Sequence, residues 1–195
     1  MPASDILAHP AFQSAVLPLL LCLAGVGLLL RAAGPNRAAL GAALGLLVAL
    51  AYFPGFDWPA SARAQKLPWI ALAGCAIAAL LLWRAASGLA PARPWWRGIA
   101  LAAVLTVACL GLAAAAGLGG SLLLAQLALM AAVAAAVPGL WSWWRPSSGL
   151  WVAPAALLPQ LLVALWIAAA LPMAPWNAGA AGTATDDLYY TPQWK

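Results

Sequence analysis

The chain has 195 residues, 66% of them hydrophobic and 7% charged, with a formal net charge of +5 and a mean hydropathy of +0.96. Soluble domains carry about 25% charged residues, and so few charges do not cover a water-facing surface, which excludes a water-soluble fold. The nine Lys and Arg residues form no continuous basic stripe, so the balance points to the anionic face of a membrane and excludes a nucleic-acid partner.

Six apolar segments are expected as membrane spans: Ala11–Leu30, Ala38–Phe53, Leu67–Trp83, Gly98–Leu118, Ser121–Val137 and Leu150–Leu171. The first ten residues hold Asp5 and no Lys or Arg, which does not match the positive start of a cleavable signal peptide. Arg31 closes the first span, Pro54-Gly55 the second, Arg84 the third, Pro138-Gly139 the fifth and Pro172 the sixth. All nine basic and four acidic side chains fall between these segments. A charge at the bilayer centre costs at least about 2.5 kcal/mol, so this partition is what a membrane demands. Barrel strands alternate polar and apolar residues, whereas these runs are uniformly apolar and dominated by Ala and Leu, both strong helix formers. A spanning helix needs about 20 residues. The second, third and fifth segments are short and are expected to borrow a turn from their flanks or to sit in thinned bilayer.

The fold class is therefore all-α: a polytopic bundle of six transmembrane helices over residues 1–171, followed by an extracytoplasmic tail, 172–195. Positive charge marks cytoplasmic loops. Arg31, Arg37, Arg84, Arg93, Arg97 and Arg145 share one side, while Arg63, Lys66, Lys195 and all four acids share the other. Both termini are expected outside. The preference for Ala, Arg and Trp suggests a GC-rich bacterial genome, and with it a bacterial inner membrane.

Most of the twelve tryptophans stand at span ends. Indole has an apolar body and one N–H donor, so it settles at the headgroup level. The repeated elements Trp95-Trp96-Arg97 and Trp143-Trp144-Arg145 read as interfacial anchors. The alternative for the cluster Trp141, Trp143, Trp144 and Arg145 is docking a partner or stacking on a ligand.

Cys22, Cys75 and Cys109 stand near mid-span at similar depth. Three converging thiols suit a soft metal such as Cu(I). None has Met, His or Cys three or four residues on, and cysteine is often a small core hydrophobe, so packing is the expected role. Gln126 and Gln160 are the carboxamides within spans. With Thr106 and Trp166 they form a candidate intramembrane polar site; the alternative is hydrogen bonding between helices. Pro154 and Pro159 precede Gln160 and predict a freed carbonyl near it. Gly41 and Gly45 form a GxxxG pair, and small residues over Ala113–Gly117 and Ala131–Ala136 add close-packing faces. Gly119 and Gly120 predict a tight hairpin, with Ser121 as the following N-cap.

Absences narrow the function. The single histidine, His9, lies outside the first span, and the chain has no glutamate. An intramembrane haem needs an axial ligand, for which no spanning His is present. A proton relay needs Asp, Glu or His in the spans. Ser121 has no histidine to activate it. No catalytic residue, cofactor or metal is expected. The tail segment Asp186, Asp187, Leu188, Tyr189, Tyr190 and Trp194 combines acids with aromatics and suits partner docking, or folding back on the membrane surface. The resulting expectation is a non-catalytic integral membrane protein, an accessory or scaffold subunit whose partners are lipid and other membrane subunits or further copies of itself. The alternative is a small solute-binding or transport component for an apolar or aromatic compound.

Overall fold

Inside a bilayer every backbone N–H and C=O must be satisfied by protein, and the Ala- and Leu-rich segments meet that demand as helices. The computed structural model describes residues 12–35, 37–60, 62–86, 96–144 and 152–171, and no strand occurs among them. Six α-helices follow in order: α1 (Leu17–Ala33), α2 (Leu40–Tyr52), α3 (Leu67–Ala86), α4 (Trp96–Leu118), α5 (Leu122–Trp144) and α6 (Val152–Ala170). A π-turn, Phe12–Val16, leads into α1, and a 3-10 turn, Ala64–Lys66, leads into α3.

Antiparallel packing joins α1 to α2, α4 to α5 and α3 to α6. Gly25 lies on Gly41 and Cys22 on Gly45, which runs α1 against α2. Gly139 meets Ala102, and Gly117 faces Ala125, which runs α4 against α5. Gly74 meets Pro159, and Arg63 reaches Ala169, which runs α3 against α6. Arg31, Arg37, Arg84 and Arg97 thereby gather at one end, and Asp57, Arg63 and Lys66 at the other.

The α4–α5 turn is as tight as its glycines allow. Gly120 has φ +84°, a backbone that L side chains rarely adopt. Its N–H bonds Gly117 O at 3.1 Å, and the Ser121 N–H bonds Ala116 O at 2.9 Å, the two closures of a Schellman motif. The Ser121 carbonyl then accepts from Ala125 N–H at 3.0 Å and starts α5.

Burial divides the helices. The interior helix α2 touches α1, α3, α5 and α6 and buries Gly41, Ala42, Ala43, Gly45, Leu46, Ala49 and Leu50. By contrast, α1 buries only Pro18, Cys22 and Val26, leaving Leu20, Leu23 and Leu28 exposed. Likewise α4 leaves Val104, Val107 and Leu110 exposed. Among the described residues, four helical segments are long and apolar enough to cross a membrane: Phe12–Ala33, Ala64–Arg84, Trp96–Leu118 and Leu122–Trp144. Two apolar helices are shorter, Leu40–Tyr52 and Pro154–Ala170. At 1.5 Å per residue, α2 is only about 20 Å long against a hydrocarbon core of about 30 Å. Its N-terminal end is covered by protein, whereas Tyr52 at the other end is exposed. Ala38 and Ala39 are buried, and i+3 bonds from Leu40, Gly41 and Ala42 continue the turn beneath it. Irregular backbone at membrane depth is tolerated in that setting.

The fifth segment differs from the sequence expectation. Pro138-Gly139 does not close it: α5 runs through Pro138 to Trp144. Trp141, Trp143 and Trp144 are therefore helical and do not belong to a loop. The reason lies in the neighbouring helix α6.

Candidate functional site

Polar groups in the bundle interior are few. Gln160, on α6, is 0% exposed. Its Nε2 donates to the carbonyl of Ala134 on α5 at 3.2 Å. Ala134 stands four residues before Pro138, which has no N–H, so the Ala134 carbonyl lacks its normal helical donor. The Gln160 amide supplies that donor and lets α5 continue past the proline. The sequence predicts a freed carbonyl near Gln160 from the prolines of α6; the carbonyl Gln160 binds is instead the one freed by the proline of α5. Its Oε1 is buried and finds no hydrogen-bond partner among the described residues. The same holds for Nε1 of Trp141, seven residues after Ala134 on α5.

Thr106 donates to Ala102 O in its own helix at 2.7 Å. The α4–α5 register sets it level with Ala135, close in depth to Gln160. Gln126 is half-buried, eight residues before Ala134 on α5 and so about 12 Å nearer the Asp57 end. Trp166 lies about 9 Å from Gln160 along α6, toward that same end. There its Nε1 donates to Arg63 O at 3.2 Å. Arg63 in turn donates through its guanidinium to Ala169 O, also at 3.2 Å, in the last turn of α6. The four residues of the sequence-derived site thus fall into two depths, Thr106 with Gln160 and Gln126 with Trp166.

Two of the three cysteines bind backbone. Cys22 Sγ donates to Ala42 O at 3.3 Å and Cys75 Sγ to Ala43 O at 3.6 Å, holding α2 between α1 and α3. Cys109 is buried in the apolar core. No group of three His, Cys, Asp or Glu able to hold a metal occurs among the described residues.

At the arginine-rich end, Trp96, Trp143 and Trp144 are exposed, and Arg97 stacks 5.6 Å over the Trp96 ring. Trp95 and Arg145 of the two anchor elements lie outside the described residues. So do Asp186, Asp187, Tyr189, Tyr190 and Trp194 of the tail.

At the opposite end the structure assembles a cluster that the sequence does not announce. Phe56 and Trp58 meet Trp69 edge-on, with ring centroids 5.0 and 5.8 Å apart. Gln65 ties the loop by donating to Asp57 Oδ2 at 3.0 Å and accepting from Ala62 N–H at 3.1 Å. Aromatic density in Pro54–Lys66 is the one signal available for this, and it does not say that Trp69 of α3 is the hub.

Comparison with protein-family models, curated proteins and solved structures finds no match to this chain.

Proposed function

We propose that this protein is a non-catalytic, six-span subunit of a larger membrane complex in a bacterial inner membrane, with both termini outside, acting as an accessory or scaffold component. One observation carries the reading: the hydrogen bonds of Cys22, Cys75, Thr106 and Gln160 all end on the protein's own backbone carbonyls. Those of Cys22, Cys75 and Gln160 hold neighbouring helices together, and that of Thr106 closes within its own helix. The exposed apolar faces of α1 and α4 leave surface for lipid or for neighbouring subunits, and the arginine-rich, tryptophan-rich end suits the cytoplasmic headgroups. α2, packed against α1, α3, α5 and α6, and α6, packed against α2, α3, α4 and α5, complete the six spans.

The test is purification of the full chain in a mild detergent, with and without residues 184–195. The expected result is a membrane partner, or further copies of the chain, retained in fixed ratio and released by the truncation while the bundle stays folded. A protein that runs as a bare monomer from its native membrane overturns the reading.

A second reading, a solute-binding or transport component for an apolar or aromatic compound, is favoured by the unpaired Gln160 Oε1. A lone protein that retains a small molecule through purification supports it.

A further inference from the structure

The α5–α6 seam concentrates unmatched hydrogen-bonding capacity. Two prolines lie inside its helices, Pro138 in α5 and Pro159 in α6. Each removes the i+4 donor of one carbonyl, that of Ala134 and that of Ala155. Gln160 Nε2 answers the first at 3.2 Å. This contact also settles the orientation of the amide, because exchanging its O and N would set two acceptors against each other. Gln160 Oε1 is therefore an acceptor without a donor among the described residues, and the residue is 0% exposed. The Ala155 carbonyl lies in the turn just before Gln160. Ala155 and Ala156 belong to the small buried cluster against which Trp141 packs, and Trp141 Nε1 is itself a buried donor with no acceptor among the described residues. One seam thus offers two acceptors and one donor in apolar surroundings.

We propose that Gln160 Oε1 is a binding site for a neutral hydroxyl donor, either an internal water or the hydroxyl of an otherwise apolar solute. The chemistry selects this class. The occupant must give a hydrogen to Gln160 Oε1, which excludes pure acceptors such as ketones and ethers. It must be uncharged, because a charge at this depth has no counter-ion among the described side chains of the seam. A hydroxyl also accepts, so the same class matches the Trp141 indole N–H. Internal waters sit on buried polar groups of this kind, typically with two to four partners. The proposal rests on neither functional reading above: water at the site leaves both standing.

The test uses the full chain in lipid nanodiscs, with 15N-labelled glutamine side chains and tryptophan, read by water-edited solid-state NMR. The Gln160 side-chain signal is the one lost in Gln160→Met; should that variant not fold, the cross-peak to the Ala134 carbonyl identifies it in the unaltered protein. The expected result is polarisation transfer from water to Gln160 and to Trp141 within a few-fold of the rate at the exposed outer loop. A transfer from a non-water hydroxyl proton, with a small molecule found by native mass spectrometry, assigns the site to a solute. Absence of any hydroxyl or water transfer to Gln160 overturns the proposal.

Discussion

The side-chain amide of Gln160 and the carbonyl of Ala134 join α6 to α5 at the one point where α5 lacks a backbone hydrogen bond, four residues before Pro138. The pairing predicts coupling between two residues that need not touch. Gln160→Leu should destabilise the bundle by about 0.6–1.7 kcal/mol, the range of hydrogen bonds between membrane helices. Pro138→Ala restores an N–H that reaches Ala134, so in that background Gln160→Leu should cost clearly less. Unfolding of the two single variants and the double variant in mixed micelles closes the cycle. Strict additivity would show that Gln160 does not compensate the proline.

The glycines predict a sharp contrast between positions of one residue type. A Cβ at Gly41 would overlap the backbone of Gly25, and one at Gly45 would stand 2.5 Å from Cys22 Cα. Backbone cannot give way as a side chain can, so Gly41→Val and Gly45→Val should each cost about 1–3 kcal/mol or more by overpacking. Gly27 and Gly111 have open space where a Cβ would go. Alanine there should change stability by less than about 0.5 kcal/mol. Equal losses at all four sites would contradict the observed α1–α2 contact.

Helix class and most helix positions are legible in the sequence because apolar length and charge placement answer directly to the bilayer. Gly41 and Gly45 announce a close-packing face, yet not that Gly25 and Cys22 fill it, since GxxxG names a face and not a partner. Pro138-Gly139 reads as a terminator by local rules. What lets α5 continue is Gln160, 26 positions along the chain from the Ala134 carbonyl that it binds, and that information exists only in the tertiary fold. Trp166 reads as an interior aromatic for the same reason: nothing local to α6 reveals that Arg63 meets it, across 103 positions.

The charge asymmetry predicts sidedness. In a chain with Cys22, Cys75 and Cys109 replaced by alanine, single cysteines at Ser148 and Thr185 are labelled by an impermeant maleimide on whole cells. The background should fold, because the thiol bonds at 3.3 and 3.6 Å involve weak donors. Thr185→Cys should react from outside and Ser148→Cys only after lysis. Reaction of Ser148→Cys on intact cells would reverse the orientation or remove a span.

The last prediction concerns the clamp between the stretch leading into α3 and the end of α6. The Arg63 guanidinium binds Ala169 O, where the helix leaves carbonyls without donors and its dipole favours a cation. The Trp166 indole binds the Arg63 carbonyl in return. Both bonds fasten the same short stretch just before the 3-10 turn that holds Lys66, an exposed residue. Proteolysis there requires the stretch to open, so its rate reports the clamp. Trp166→Phe keeps the ring and removes the donor. It should speed tryptic cleavage after Lys66 several-fold, while global stability falls by no more than about 0.5–1.5 kcal/mol. Arg63→Gln removes the neighbouring cut site and should accelerate cleavage after Lys66 to a similar extent. The double variant should be little faster than either single one, because the two bonds secure one segment. If Trp166→Phe leaves cleavage unchanged, or if the accelerations multiply in full, the two residues do not act as one clamp.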